Sequence, residues 1–203
     1  PGDRWLIPLP FFHVAGLAVL FRCALAGAAA VIPPPGMPVP EAVRRFHATH
    51  VSLVPTQLYR ALRAEPGVSA LRGLKAILLG GAATAPELVE RAHAAGLPLH
   101  TTYGMTETAS QLTTTPPGAA LEDLLTAGRP LAEETVRVTA SGEIQARGKT
   151  LFRGYVEGGT PHRPQTDDGW FPTGDRGRFD ARGNLVVAGR RDNMFITGGE
   201  NVQ

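Results

Sequence analysis

The sequence is poor in cysteine, in long apolar runs and in surplus charge, and these shortages exclude several classes of protein. Cys23 is the only cysteine among 203 residues, which rules out a disulfide within the chain and a zinc site built from several cysteines. A chain without disulfides fits a reducing compartment, so we expect a cytoplasmic protein. The longest apolar run, residues 14–20, is much shorter than the roughly 20 residues of a membrane-spanning helix. We therefore expect no membrane insertion.

The charges of the chain are nearly balanced, and its apolar content is high enough for a core. The 20 Lys and Arg residues stand against 18 Asp and Glu residues, and the arginines are scattered, so we expect no nucleic-acid partner. Hydrophobic residues make up 43% of the chain, and its length suits one large domain or two small ones. The chain opens inside a strand-like segment and stops just after a Gly-Gly-Glu turn. We therefore expect it to be part of a longer protein.

Residues 1–118 alternate between strand-like and helix-like segments. Apolar runs bounded by glycine or proline predict strands at residues 4–9, 28–32, 51–54, 74–79 and 97–101. Helical spacing of apolar residues predicts helices at residues 13–25, 40–47, 57–62 and 86–95. Thr56 is the predicted N-cap of the third helix. Such alternation is typical of a layered α/β unit with a mostly parallel sheet.

The pattern changes after Pro116-Pro117-Gly118, which interrupts the chain. Short strands are predicted at residues 136–139, 143–146, 178–179 and 185–187, with a hairpin loop at 181–184 and a surface loop at 156–168. We expect residues 119–188 to form a small antiparallel β unit, a distorted barrel. We assign residues 189–203 to a third segment.

Two predicted strand ends in the α/β unit carry residues suited to a ligand. Ligands of parallel α/β sheets bind at the carboxyl ends of the strands. The first such end is Gly80-Gly81-Ala82-Ala83, whose small residues would let a ring or a phosphate approach the backbone. An ordinary turn is the alternative explanation of these glycines.

The second strand end is Thr102-Tyr103-Gly104-Met105-Thr106-Glu107-Thr108. Tyr103 could cover a purine face, and Gly104 would permit close approach. Thr106 could donate to a phosphate oxygen, and the Glu107 carboxylate is a hard oxygen ligand for Mg²⁺. A Thr-rich loop that caps a helix, with Glu107 at the capping-box position, is the alternative. The residue types alone do not decide between the two.

The order of several motifs adds a family resemblance. Residues 103–108, Tyr-Gly-Met-Thr-Glu-Thr, resemble a motif of the adenylate-forming superfamily, which includes acyl-CoA synthetases, luciferases and peptide-synthetase adenylation domains. Residues 80–83 resemble its adenine-side loop, residues 169–175 its ribose-binding segment, residues 189–193 its hinge and residues 198–202 the loop that opens its C-terminal lid. The resemblance implies that the chain is part of the large N-terminal domain of an adenylate-forming enzyme.

This resemblance also implies roles for individual residues, with ATP or AMP and Mg²⁺ as ligands. The implied nucleotide-binding residues are Gly80, Gly81, Ala82, Ala83, Thr102, Tyr103, Gly104, Met105, Thr106, Asp175 and Arg190. Thr106 would contact the phosphate and Glu107 would hold Mg²⁺. Asp175 would accept hydrogen bonds from both ribose hydroxyls, and Arg190 would reach the ribose or a phosphate. A surface cation is the alternative for Arg190.

The resemblance further implies a moving lid and a coenzyme A (CoA) side. Asp192 would be the pivot of the lid, although an ordinary turn residue is the alternative. Gly198, Gly199 and Glu200 would form a loop on the CoA side. In the implied reaction, a carboxylate attacks the α-phosphorus of ATP to give acyl-AMP and pyrophosphate. The CoA thiol then attacks the acyl carbon to give a thioester and AMP.

The segment Pro-Phe-Phe-His-Val-Ala-Gly at residues 10–16 indicates what kind of acid is the substrate. This segment resembles the part of acyl-CoA synthetases that lines the acyl pocket, which would make His13 a third catalytic residue beside Thr106 and Glu107. A helix cap is the alternative for His13. Peptide-synthetase domains carry an Asp near this region for the substrate amine, and its absence here argues against an amino-acid substrate.

A narrower resemblance is to the o-succinylbenzoate–CoA ligases of menaquinone biosynthesis. It rests on residues 12–22, 51–58, 74–83 and 189–195. It implies o-succinylbenzoate and CoA as substrates. The implied acid-binding residues are His13, Arg22, Val54, Thr56 and Gly80.

Arg22 offers a physical reason for this acid, because it lies in an otherwise apolar segment. Burying an unpaired charge is costly. The acid has two carboxylates, of which one is activated and the other stays anionic, and a guanidinium suits the remaining one. The alternative is that Arg22 reaches solvent at the helix end.

Two other functions stay open at this point. The phosphate loop and the C-terminal lid of the superfamily are absent from the sequence, so a nucleotide-binding chain without turnover is one alternative. Another acyl- or aryl-CoA synthetase is the second. Assembly into a homo-oligomer is open as well.

Overall fold

The computed structural model describes residues 2–63, 65–191, 195–197 and 200–202. Seven strands form the first sheet, in the order β2-β1-β3-β4-β5-β6-β7. They are β1 (Arg4–Leu6), β2 (Ala29–Val31), β3 (His50–Leu53), β4 (Ala76–Leu79), β5 (Leu99–Tyr103), β6 (Thr113–Thr114) and β7 (Arg129–Pro130). The first five strands pair in parallel, whereas β6 and β7 are antiparallel additions at one edge. This sheet and its helices are called the α/β unit below.

Helices cover both faces of the first sheet. They are α1 (Val14–Ala26), α2 (Val39–Arg45), α3 (Pro55–Ala61), α4 (Glu65–Arg72), α5 (Pro86–Ala94) and α6 (Leu121–Leu124). Leu6 packs in the main core with α2 to α5, while the next residue, Ile7, packs with Val19 and Cys23 of α1. Adjacent residues of an extended chain point to opposite faces, so α1 lies on the other side of the sheet from that core.

Local chemistry explains where several helices begin and end. Proline stands in the first turn of α2, α3 and α5, where its missing N–H and fixed φ are favourable. Gly27 ends α1 with a left-handed φ of 64°, which glycine adopts without strain. None of the helices in the described part of the chain is long and apolar enough to cross a bilayer.

The second sheet is antiparallel and has four strands, in the order β13-β12-β9-β8. They are β8 (Glu134–Val138), β9 (Glu143–Gly148), β12 (Phe171–Phe179) and β13 (Leu185–Arg190). The register of β12 shifts against both neighbours, which bends the sheet around a core of Leu112, Ile144 and Leu185. Two hairpins complete the chain, β10 (Tyr155–Glu157) with β11 (Thr160–His162) and β14 (Phe195–Thr197) with β15 (Glu200–Val202). The strands from β8 to β15 are together called the antiparallel unit below.

The predicted fold class is confirmed, since a mostly parallel sheet with helices precedes a small, curled antiparallel sheet. The predicted division after Gly118 leaves α6 and β7 in the second unit. In the structure, α6 contacts α5 and β5, and β7 pairs with β6 of the first sheet.

Two local predictions were wrong. Thr56 does not cap α3, because the helix already begins at Pro55 and Val54 is the N-cap residue. The predicted loop at 156–168 contains most of a hairpin instead. Gly158 and Gly159 both have positive φ and close a two-residue turn between β10 and β11.

The central strand β4 allows a test of the main core. Ile77 is 0% exposed, whereas Ile32 is 60% exposed. Ile77→Ala should lower the free energy of unfolding by about 2–5 kcal/mol, since it removes buried methyl groups and leaves a cavity. Urea denaturation measures this, with Ile32→Ala as the matched control at less than about 0.5 kcal/mol. Equal losses for the two variants would contradict the described core.

Candidate functional site

A cavity of about 600 Å³ opens at the carboxyl ends of β3, β4 and β5. Val54 follows β3, Gly80 and Gly81 follow β4, and Thr102 stands near the end of β5, and all four line the cavity. The start of α1 closes another side through His13. The parallel strands thus bring residues from distant parts of the sequence to the edge where such sheets bind ligands.

Gly80 has a packing role of its own at this edge. A Cβ atom on Gly80 would lie 2.8 Å from Cγ2 of Thr102 on the neighbouring strand. Gly81 has a φ of 81°, which disfavours other residues. The two glycines are therefore explained by strand packing and turn geometry, whether or not a ligand approaches them.

A short 3-10 turn, Thr106–Thr108, follows β5 and presents Thr106 and Glu107 to the cavity. Thr108 is fully buried and fastens the turn, since its hydroxyl donates to the Met105 carbonyl at 3.1 Å and accepts from the Met105 N–H at 3.0 Å. Gly104 is required because a Cβ there would lie 2.0 Å from the carbonyl oxygen of Ser110. The turn continues into no α-helix, so Glu107 does not occupy a helix capping box.

Tyr103 joins the α/β unit to the antiparallel unit. Its hydroxyl donates to Oδ2 of Asp175 on β12 at 2.6 Å. Asp175 is 6% exposed, and the Thr173 hydroxyl accepts its backbone N–H at 3.1 Å. Burial and the bond to the carboxylate raise the pKa of Tyr103.

Arg190 lies beside the same carboxylate, opposite Asp175 in the pairing of β12 with β13. Its Nε atom is 3.6 Å from Oδ1 of Asp175, and half of its side chain is exposed. A long, half-exposed ion pair of this kind contributes little stability. The guanidinium is therefore held near Asp175 loosely enough to meet a ligand.

Glu107 is also tied to the antiparallel unit, through Tyr155. The Tyr155 hydroxyl donates to Oε1 of Glu107 at 2.7 Å, and the Phe152 N–H donates to the Glu107 carbonyl at 2.8 Å. Desolvation and the bond to Glu107 raise the pKa of Tyr155 to about 12. Sequence reasoning missed Tyr155, because no local pattern links it to a glutamate 48 residues earlier.

Arg22 lies within a chain of polar contacts at the cavity wall. Its Nη2 donates to Oε1 of Gln111, and Nε2 of Gln111 donates to the Thr102 hydroxyl at 2.9 Å. Burial lowers the pKa of Arg22. Within the described ranges no carboxylate lies at ion-pair distance from Arg22. Arg22 is thus a half-buried cation with a neutral partner, and sequence reasoning missed that partner, Gln111.

His13 is the N-cap residue of α1, but its side chain makes no capping hydrogen bond. The ring is exposed and lines the cavity. The side chain of His13 therefore does not cap α1, and its role at the cavity stays a prediction.

The structure brings most of the predicted site residues together. Those that line the cavity are His13, Arg22, Val54, Gly80, Gly81, Thr102, Gly104, Met105, Thr106 and Glu107. Tyr103, Asp175 and Arg190 form the adjoining cluster.

A smaller group of predicted residues lies elsewhere. Ala82, Ala83 and Thr56 are exposed and outside the cavity lining. Gln57, one residue after Thr56, lines the cavity instead and accepts the Val54 N–H at 3.1 Å. Asp192, Gly198 and Gly199 lie outside the described residues, and Glu200 begins β15.

Comparisons with known proteins agree with this geometry. The model of the AMP-binding enzyme family matches residues 1–156. The 2-succinylbenzoate–CoA ligase of Bacillus licheniformis is 36% identical over 98% of this chain and 44% of its own length. This chain therefore spans less than half of that relative.

Two solved structures of o-succinylbenzoate coenzyme A synthetase from Bacillus subtilis share the fold at 33% identity. One is a complex with the acyl-adenylate intermediate, with a TM-score of 0.84, and covers 98% of this chain and 43% of that protein. The other is a complex with ATP and a magnesium ion, with a TM-score of 0.83, and covers 98% and 44%. The family model matches more than half of the residues of the present chain, and this chain therefore belongs to the AMP-binding enzyme family.

Proposed function

We propose that this chain forms the nucleotide- and acid-binding part of a cytoplasmic, ATP-dependent acid–CoA ligase that activates o-succinylbenzoate for menaquinone biosynthesis. The observation that carries the proposal is the hydrogen bond that joins Tyr103, at the end of β5 and beside the cavity, to Asp175. Thr106 and Glu107 line the cavity, and the neighbouring Tyr103 is bonded to Asp175 beside Arg190. The Bacillus subtilis relative with a bound acyl-adenylate supports the same assignment.

The proposed reaction has two displacement steps. A carboxylate oxygen of the acid bonds to the α-phosphorus of ATP, and pyrophosphate leaves with the broken P–O bond. The CoA sulfur, as thiolate, then bonds to the acyl carbon and AMP leaves. Neither step needs a nucleophile from the protein, so the chain's part is to hold reactants in line and to neutralise charge.

Asp175 is suited to hold the ribose. Each carboxylate oxygen can accept two hydrogen bonds, and Tyr103 occupies one of these positions. Enough acceptor capacity remains for the two ribose hydroxyls. The bond from the Tyr103 hydroxyl, and the bond that the Asp175 N–H donates to the Thr173 hydroxyl, keep the carboxylate in place before a ligand arrives.

Glu107 fits the demands of Mg²⁺ in the presence of a nucleotide. No cluster of three His, Cys, Asp or Glu side chains occurs in the part of the chain that the structure describes. Mg²⁺ bound with a nucleotide takes one or two carboxylates and completes its shell with phosphate oxygens and water. Glu107 would therefore supply the protein ligand and Thr106 would contact the phosphate. The bound ion would offset phosphate charge during the attack.

Arg22 and His13 are suited to the acid, since both line the cavity. Gln111 holds one side of the Arg22 guanidinium and leaves its other N–H donors for a carboxylate. An acid with two carboxylates could place one beside Arg22 and the other at the phosphate side near Thr106. His13 would orient the carboxylate that reacts.

Substrate choice tests the proposal directly. With ATP, Mg²⁺ and CoA, the full ligase of which we propose this chain to be a part should form a thioester from o-succinylbenzoate in preference to benzoate or a medium-chain fatty acid, as measured by mass spectrometry and pyrophosphate release. Preference for another acid would indicate a different acyl- or aryl-CoA synthetase. AMP binding without turnover of any acid would favour a nucleotide-binding function alone.

Replacing Asp175 tests the ribose contact. Asp175→Asn should raise the Kd for AMP about tenfold or more in calorimetric titration, since hydrogen bonds to a charged acceptor contribute roughly 1.5–3 kcal/mol. The same variant should no longer distinguish AMP from 2′,3′-dideoxy-AMP. Asp167→Asn, at an exposed position in the segment before β12, is the control. A variant that still prefers AMP as strongly as the original chain would remove Asp175 from the ribose site.

Replacing Arg22 tests the acid contact. Arg22→Ala should raise KM for o-succinylbenzoate by tens of fold, equivalent to about 2 kcal/mol for a lost charged hydrogen bond. KM for 4-oxo-4-phenylbutanoate, which lacks the ring carboxylate, should change little. Arg60 on α3 is exposed, and Arg60→Ala serves as the control. An equal rise for both acids would mean that Arg22 acts on the fold rather than on the ring carboxylate.

A further inference from the structure

Glu107 is held from two directions by a single segment of the antiparallel unit. The Tyr155 hydroxyl donates to its Oε1 at 2.7 Å. Three residues before Tyr155, the Phe152 N–H donates to the Glu107 carbonyl at 2.8 Å. One bond fixes the backbone of Glu107, and the other fixes the direction of its carboxylate.

The donor itself is well anchored, although Tyr155 is 43% exposed. Its ring meets the ring of Phe152 edge-on at 4.8 Å, and Phe152 packs on Phe171 of β12 at 5.3 Å. Phe171 is 3% exposed, so this series of edge-on ring contacts ends at a buried residue of β12. These ring contacts therefore link the position of the hydroxyl to β12 of the second sheet.

The hairpin also fixes the backbone of Tyr155. Tyr155 pairs with His162 across β10 and β11. The residue before it is Gly154, where a Cβ would lie 2.7 Å from the backbone of His162. The chain can therefore pass close to His162 and turn the phenol toward Glu107 only because residue 154 has no side chain.

The consequence for Glu107 is a loss of freedom. A glutamate on a short turn has three side-chain torsions, and fixing them on ligand binding costs up to about 2 kcal/mol. The bond from Tyr155 fixes them in advance and uses Oε1, which leaves Oε2 free of that contact. Partners that orient a ligating carboxylate in this way strengthen metal binding in other proteins.

We propose that Tyr155 is a positioning residue that orients the Glu107 carboxylate for the metal ion of a bound metal–nucleotide complex. This inference rests on the proposed function, because it requires that Glu107 meets Mg²⁺ beside the nucleotide phosphates. The β10–β11 hairpin would then contribute to a site whose other residues on the phosphate side, Thr106 and Glu107, belong to the α/β unit.

The test separates metal-dependent binding from binding of the nucleoside alone. Tyr155→Phe removes the hydroxyl and keeps the ring that packs on Phe152. Calorimetric titration compares ATP with Mg²⁺, ATP with EDTA, and AMP. Tyr155→Phe should reduce the gain in ATP affinity that Mg²⁺ confers by about tenfold and leave the Kd for AMP within about twofold.

Two controls distinguish positioning from a general effect on the fold. Tyr59→Phe, at a half-exposed tyrosine on α3, should change none of the three affinities. The double variant Tyr155→Phe/Glu107→Gln should lose no more Mg²⁺-dependent affinity than Glu107→Gln alone, since Tyr155 acts through Glu107. Urea denaturation of each variant reports any loss of stability.

The possible failures have different meanings. An unchanged Mg²⁺ gain in Tyr155→Phe, or equal losses for AMP and ATP, overturns the positioning role. Additive losses in the double variant overturn it too. If the unaltered chain binds AMP but gains nothing from Mg²⁺, the metal role of Glu107 fails along with this inference. If it binds neither nucleotide, the proposed function itself is wrong.

Discussion

The hydrogen bond from Tyr103 to Asp175 is the contact on which the arrangement of the site depends. Tyr103 ends β5 of the parallel sheet, and Asp175 lies on β12 of the antiparallel sheet. Both partners are largely removed from water, and leaving either of them unpaired would cost about 1–3 kcal/mol. The bond therefore holds the end of one sheet against the middle of the other. The cavity at the strand ends and the cluster around Asp175 become neighbours as a result.

Another side-chain hydrogen bond at the site joins the units in the opposite direction. Tyr155 of the antiparallel unit donates to Glu107 of the α/β unit, whereas Tyr103 of the α/β unit donates to Asp175 of the antiparallel unit. Asp175 is 6% exposed and its bond with Tyr103 is partly buried, whereas the bond between Tyr155 and Glu107 is exposed and lies next to the cavity. The bond between Tyr103 and Asp175 thus holds the two units together, whereas the bond between Tyr155 and Glu107 lies where a ligand can reach the Glu107 carboxylate.

Particular residues show how far sequence reasoning extends. The alternation of strands and helices predicted the parallel sheet, because apolar spacing and proline positions are local properties. The prediction of Thr56 as the N-cap of α3 was wrong, because the helix already begins at Pro55. Gln57, and not Thr56, lines the cavity. Gln111 and Tyr155 were missed, because each acquires its role only by contact with a residue distant in the chain.

The sequence by itself determined the fold class and the chemical identity of the residues at the strand ends, since both follow from local patterns. It also identified Arg22 as a charge in need of a partner. Only the tertiary structure decided which partner each polar group meets: Gln111 for Arg22, Asp175 for Tyr103 and Tyr155 for Glu107. The physical reason is that a hydrogen bond needs donor and acceptor within about 3 Å. That distance is set by the packing of segments that are far apart in the sequence, which no segment encodes alone.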